Sequence, residues 1–140
     1  MANLQGKVAL ITGSSKGIGA AIAQRLAADG ASVVINYSSS GAPAEALVQR
    51  IQSAGGKAVA VQANLSNPAE IGKLISAAKQ AFGRLDILIN NAGIYKFLPL
   101  EAITEEHIDK HFNLNVKALL LVTQAALPLF GPEGGVVINI

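Results

Sequence analysis

The sequence predicts an α/β fold, a doubly wound parallel sheet with helices on both faces, and three observations carry that prediction. Five short β-rich runs each follow a glycine, and a helical stretch separates one run from the next, so strand and helix alternate strictly. The runs are apolar at successive positions instead of at every second one, the pattern of strands covered on both faces. Hydrophobic residues make up 51% of the 140, a share that such doubly covered strands would absorb. That length suits one domain with its own core, spanning residues 1–140, and no linker or low-complexity stretch divides it.

The elements follow in order. A first strand, Val8 to Thr12 after Gly6, leads into a glycine cluster inside which a helix begins. Ala20, Ile22, Ala23 and Leu26 form that helix's apolar stripe, and Gly30 stands where a C-terminal cap belongs. The second strand is Ser32 to Asn36, and the third is Ala58 to Gln62 after Gly56. Asn67-Pro68-Ala69-Glu70 then announces a helix: an N-cap, a proline at the first helical position, and a carboxylate expected to reach back to the cap. Leu85 to Asn90, after Gly83, is the fourth strand, and Val136 to Ile140, after Gly135, is the fifth. Between these two, Ala118 to Val122 put apolar side chains all round a helix, which calls for burial on more than one side.

Several function classes are disfavoured at once. The net charge is +2, with lysines and arginines scattered, so no nucleic-acid partner is expected. The longest uninterrupted apolar run, Ala118 to Val122, is far short of the ~20 residues of a membrane span, so no membrane partner is expected either. There is no cysteine, and the N-terminus lacks the basic and apolar regions of a secretory signal, which together point to a cytoplasmic setting. His107 and His111 lie four apart, but the zinc-protease signature needs Glu where Ile108 stands, so a surface helix without metal is expected there.

The chemistry concentrates in Thr12-Gly13-Ser14-Ser15-Lys16-Gly17-Ile18-Gly19. Glycine permits a tight reversal and lets backbone approach phosphate oxygens, and a further glycine lets helix and strand pack closely. The helix that starts there aims unpaired N–H groups at the anion. A Walker loop would need Lys then Ser or Thr after its last glycine. Ala20 and Ala21 follow instead, which argues against a nucleoside triphosphatase.

In these residues the chain resembles the short-chain dehydrogenase/reductases. Their cofactor turn TGxxxGIG is matched by Thr12, Gly13, Gly17, Ile18 and Gly19, and their NNAG by Asn90, Asn91, Ala92 and Gly93 at the end of the fourth strand. The resemblance runs from the first strand to the fifth. It implies a Rossmann-type domain that holds a nicotinamide dinucleotide and serves reversible hydride transfer to or from a small carbonyl or alcohol substrate. The cofactor residues it implies are Gly13, Ser15, Lys16, Gly17, Ile18 and Gly19 in the turn, Tyr37 and Ser38 after the second strand, Asn64 and Leu65 after the third, and Asn91, Ala92 and Gly93 after the fourth. NAD-preferring members carry an acid near the end of the second strand. Here Asn36-Tyr37-Ser38-Ser39-Ser40 has none, and Lys16 supplies positive charge nearby, so NADP(H) is the expected cofactor. Asn64 stands where the family generally has an adenine-contacting aspartate.

Of the family's catalytic Asn-Ser-Tyr-Lys set, Asn115 matches the first member, with Asn113 as an alternative. Neither tyrosine has a lysine four residues on: Gly41 follows Tyr37 and Pro99 follows Tyr95. The chain therefore reads as the cofactor-binding part of a longer, NADPH-dependent carbonyl reductase, missing its later strands and inactive by itself. A non-catalytic nucleotide-binding module, or a fragment completed by another chain, is the competing expectation, and a methyltransferase of similar topology ranks behind both. Ile94 to Leu100 reads either as a hydrophobic substrate mouth or as a packed loop. Family members associate through helices that include Asn115 to Leu129, which implies a homo-oligomer for the full-length form.

Overall fold

The continuous apolar runs exist because both faces of each strand are covered. In the computed structural model, which describes residues 3–140, β1 (Val8–Ile11), β2 (Ser32–Tyr37), β3 (Lys57–Gln62), β4 (Ile87–Asn90) and β5 (Val136–Asn139) form one parallel sheet in the order β3-β2-β1-β4-β5. Val8 and Leu10 of β1 pack with the helices α3 (Pro68–Phe82) and α5 (Ala118–Ala126). Ala9 and Ile11 of the same strand point the other way, into a second core shared with α1 (Gly17–Ala28) and α2 (Gly41–Ser53). The expected doubly wound architecture is therefore observed. Strand boundaries differ from the sequence reading by a residue or two: β2 reaches Tyr37, β3 starts at Lys57 and β4 at Ile87, while Thr12 and Ile140 fall just outside β1 and β5.

Helix ends follow their local chemistry. Past the C-cap Asp29, the Gly30 N–H donates to the Ala27 carbonyl and the Ala31 N–H to that of Leu26, with Gly30 at φ +106°. This pair of bonds needs a left-handed residue at its centre, which glycine supplies without strain. At α3, Asn67 caps through its side chain, accepting from the Ala69 N–H at 3.2 Å, with Pro68 at the first helical position. Glu70 does not reach back to the cap. Its carboxylate accepts from the Asn64 N–H, because the Asn67 N–H is already committed to the Asn64 carbonyl.

After β4 the chain makes a short 3₁₀ turn and enters α4 (Glu105–Phe112), capped by the Thr104 hydroxyl accepting from the His107 N–H at 3.1 Å. The helix runs on through a π-turn, Asn113–Lys117, into α5. Ala118, Val122 and Ala126 are its buried face, Leu119 and Leu121 are half-buried, and Leu120 is 61% exposed. Burial all round α5 is thus not reached among the described residues. The continuous helix Glu105–Leu129 is long and apolar enough, by length and composition, to cross a membrane. No uninterrupted apolar run marks it in the sequence, because charges interrupt α4. Here its buried face packs on α3 and β4, as a layer of the domain. Every residue of β5 is exposed.

Candidate functional site

The order β3-β2-β1-β4-β5 puts the switch in winding direction between β1 and β4, and in open parallel sheets ligands bind beyond the carboxyl ends of the strands at that switch. β1 leads into the glycine turn, and β4 leads into Asn91-Ala92-Gly93. These two turns are stitched together. The Thr12 hydroxyl accepts from the Asn91 and Ala92 N–H groups at 3.0 and 2.9 Å, and the Asn91 carboxamide donates to the Thr12 and Gly13 carbonyls at 3.0 and 2.9 Å. Gly13 and Gly19 are required by this closeness. A Cβ on Gly13 would sit 2.9 Å from the Ala92 Cα, and one on Gly19 would sit 2.6 Å from the Asn91 carboxamide nitrogen and 2.8 Å from the Gly13 carbonyl. Gly17 is different, since at φ +60° a Cβ would point into open space.

Lys16, the N-cap of α1, offers no side-chain cap, and the first turn of α1 carries no acid. The helix thus begins with free backbone N–H donors where α3 and α4 are closed by Asn67 and Thr104. Against this end lies a cleft of about 340 Å³. Ten of the thirteen residues expected at a cofactor line it: Gly13, Ser15, Lys16, Tyr37, Ser38, Asn64, Leu65, Asn91, Ala92 and Gly93. Gly17, Ile18 and Gly19 do not line it; they form the first turn of α1 beside it, with Ile18 65% exposed. Lys16 and Ser38 are exposed on the rim, and Leu65 is buried in the core below. The Asn64 side chain accepts from the Ser66 N–H at 3.1 Å in a local turn.

Asn115 sits outside the cleft wall, in the π-turn. Its carboxamide makes a two-way bond with the backbone of Ile94, accepting from the N–H at 2.8 Å and donating to the carbonyl at 2.9 Å. A π-turn widens the helix by one residue, which re-aims the side chains it contains, and such turns recur at functional sites. Asn113 makes no such contact in the structure. The stretch after Gly93 is not a packed loop, with Tyr95 85% and Phe97 75% exposed.

The residue the sequence reading passed over is Asn36. It is 2% exposed and ties three elements together. Its side-chain oxygen accepts from the Gly13 N–H at 3.0 Å. Its backbone N–H donates to the Ser14 hydroxyl, and its carbonyl accepts from the Ser14 N–H. The carboxamide nitrogen is shared among the carbonyls of Ala63, Val61 and Tyr37, at 3.2 to 3.4 Å. An asparagine closing a buried strand was the available signal, since a buried amide must find partners.

A larger cavity, about 730 Å³, lies at the opposite, amino end of the strands. It is walled by Lys7, Arg84 and Asp86, whose charges already satisfy one another: Arg84 donates twice to Asp86, at 2.6 and 3.0 Å, and Lys7 approaches at 3.8 Å. Its glycines, Gly83, Gly131, Gly134 and Gly135, do not open a helix toward it, and among the described residues no uncapped helix start like that of α1 faces it. Among the described residues no group of three His, Asp or Glu side chains is placed to hold a metal.

A glycine turn opening a helix at the switch point of a parallel sheet defines a Rossmann-type nucleotide-binding domain. Comparison with known proteins narrows the class. A family model described as short chain dehydrogenase matches residues 7–140. An uncharacterized oxidoreductase of Methylorubrum extorquens is 56% identical over the whole chain, which covers 56% of that protein. The hydroxynaphthalene reductase arp2 of Aspergillus fumigatus is 47% identical over 96% of this chain and 50% of its own length. A crystal structure of a short chain dehydrogenase from Burkholderia cenocepacia in complex with NADP superposes with TM-score 0.93 at 45% identity, over 98% of this chain and 56% of that one. The chain belongs to the short chain dehydrogenase family, and it spans about half the length of the curated relatives it matches.

Proposed function

We propose that this chain is the cofactor-holding part of an NADPH-dependent carbonyl reductase. The observation that carries the reading is the cleft at the switch point, where the uncapped start of α1 meets a rim of Lys16 and Ser38 with no carboxylate among its lining residues. Gly13, Ser15 and the first turn of α1 would hold the pyrophosphate through backbone N–H groups. Lys16, Tyr37 and Ser38 would take the 2′-phosphate, Asn64 and Leu65 the adenine, and Asn91 to Gly93 the nicotinamide half. NADP bound to the Burkholderia relative supports the same cofactor here. When bound, the cofactor supplies a hydride. Asn115 then acts from behind the cleft wall, fixing Ile94, which lines the cleft, and orienting a water against its carbonyl. The proton donor is not among these residues, since no Tyr-x-x-x-Lys occurs in the sequence, so residues 1–140 bind cofactor without turning over a ketone.

We also assign the full-length protein to a homo-oligomer. Ile108, Phe112, Val116 and Leu120 recur at every fourth position along one helix, each 46 to 61% exposed, an apolar stripe that a like surface would cover.

Titration decides the cofactor. NADPH is expected to bind at least tenfold tighter than NADH, and Ser38→Asp to erase that preference by setting a negative charge beside the 2′-phosphate. Equal or tighter NADH binding by the unmodified chain overturns the reading.

A further inference from the structure

The backbone just after Gly93 is held at two points from one helix. Asn115 grips Ile94 through its two-way amide bond, and one turn earlier His111 accepts from the Lys96 N–H at 3.1 Å through Nε2. The other ring nitrogen, Nδ1, lies 2.7 Å from the His107 carbonyl oxygen. A carbonyl can only accept, so Nδ1 must carry the proton, and a backbone N–H can only donate, so Nε2 must be bare. Both bonds are satisfied together by one form of the ring alone, neutral imidazole protonated at Nδ1.

We propose that His111 is a positioning residue that, in its neutral form, latches the Ile94–Lys96 segment beside the cleft that Ile94 lines, and releases it when protonated. Adding a proton to Nε2 turns the Lys96 contact into donor facing donor, and the bond is lost. Asn115 does not titrate, so its grip on Ile94 stays. Release therefore swings the segment beyond Ile94, which carries the exposed Tyr95 and Phe97, and leaves the cleft wall at Ile94 in place.

The surroundings are charged on both sides of the latch. Lys96 comes from the loop, and Glu106, His107 and Lys110 come from α4 around a pocket of about 240 Å³. Glu106 and Lys110 pair with each other at 2.9 Å, which leaves His107 and Lys96 as the cationic or potentially cationic neighbours of the ring. The two imidazoles lie 4.2 Å apart, centroid to centroid, so charge on the His111 ring opposes protonation of His107. Desolvation first, then His111 and Lys96, hold His107 below the ordinary histidine value. His111 is thus the member of the pair whose protonation has a structural consequence, since its ring, and not that of His107, holds the loop.

For its bearing on substrate access this inference rests on the cofactor reading of the cleft, but its test does not. Amide hydrogen exchange is measured on residues 1–140 at pH 7.5 and pH 5.5 and corrected for the intrinsic pH dependence of exchange, with Ile94 as the internal control. The Lys96 amide is expected to lose at least tenfold of its protection on acidification while Ile94 changes by less than threefold. His111→Gln, whose neutral amide oxygen can accept from the same N–H, is expected to keep Lys96 protected at both pH values. His107→Gln is expected to keep the pH dependence. Lys96 exchange that is already fast at pH 7.5, or a pH dependence that survives His111→Gln, overturns the latch. Failure to bind NADPH at either pH would instead count against the cofactor reading and leave the exchange result standing.

Discussion

Asn36 carries no charge and sees almost no solvent, yet it sets the geometry of the glycine turn by bonding Gly13 and Ser14, 23 and 22 residues before it in the chain. Removing its carboxamide leaves the Gly13 N–H and the Ala63 carbonyl without partners in a dry site. Asn36→Ala is therefore expected to cost about 2–4 kcal/mol of stability, read from urea unfolding, and to weaken NADPH binding as well. A loss under about 0.5 kcal/mol would show that the network closes without it. The glycines separate into two kinds. Gly17→Val meets no neighbouring atom but forces a β-branched residue to φ +60°, so the unfolding midpoint is expected to drop modestly with the shape of the circular dichroism spectrum kept, while NADPH affinity falls at least tenfold. Gly13→Ala drives a Cβ into the Ala92 backbone and is expected to lower the unfolding midpoint together with affinity. A Gly17→Val protein with unchanged affinity would move the phosphate away from this turn.

At the scale of elements, the entry to β4 is tied down by Asp86. Burial opposes its charge. Against that, the two Arg84 bonds, the Val8 N–H at 2.9 Å and the charges of Arg84 and Lys7 hold its carboxyl below the ordinary value. A group whose pKa is depressed by folding adds stability above its unfolded pKa, about 3.9, and loses it as the pH falls through the folded value. Asp86→Asn is expected to cost about 1–3 kcal/mol at pH 7, with the gap to the parent closing below about pH 4. Equal destabilisation at pH 7 and pH 3 would mean that packing, not charge, holds this corner. The element order was legible because buried parallel strands write themselves as unbroken apolar runs, and the helix starts at Gly17 and Pro68 because glycine and proline act locally. Less visible were the Glu70 carboxylate on Asn64, the π-turn at Asn113–Lys117 and the His111 bond to Lys96. Each depends on which carbonyl or N–H is left over once neighbours have paired. The pairing of turns 78 to 80 residues apart, Thr12 and Gly13 with Asn91 and Ala92, became definite only with the sheet register.

For the whole molecule, apolar side chains among the described residues meet solvent along the stripe from Ile108 to Leu120, in the loop with Tyr95, Phe97 and Leu100, and at the sheet edge of β5, where Val136, Val137 and Ile138 are each at least 40% exposed. An open edge with apolar side chains pairs readily with other chains. Light scattering on residues 1–140 is expected to give a mass of two copies or more, and the double substitution Phe112→Glu with Leu120→Glu to reduce it. A monomeric parent at micromolar concentration would show that none of these surfaces suffices for association within residues 1–140. If the parent associates and the double variant is unchanged, the stripe is not the surface responsible, and the β5 edge or the Tyr95–Leu100 loop carries the contact.

The central place of β1 has a consequence in time. Ala9 pairs with Val33 on one side and with Ile87 on the other. A ribosome adding roughly 5–20 residues per second delivers the first partner within about 1–5 s of Ala9, and the second only after about 4–16 s. For most of that interval the nascent chain carries a half-finished sheet, whose innermost strand is bare along the side that β4 will cover. A strand buried at every position in the finished domain is then also one in need of shelter for many seconds while the protein is being made.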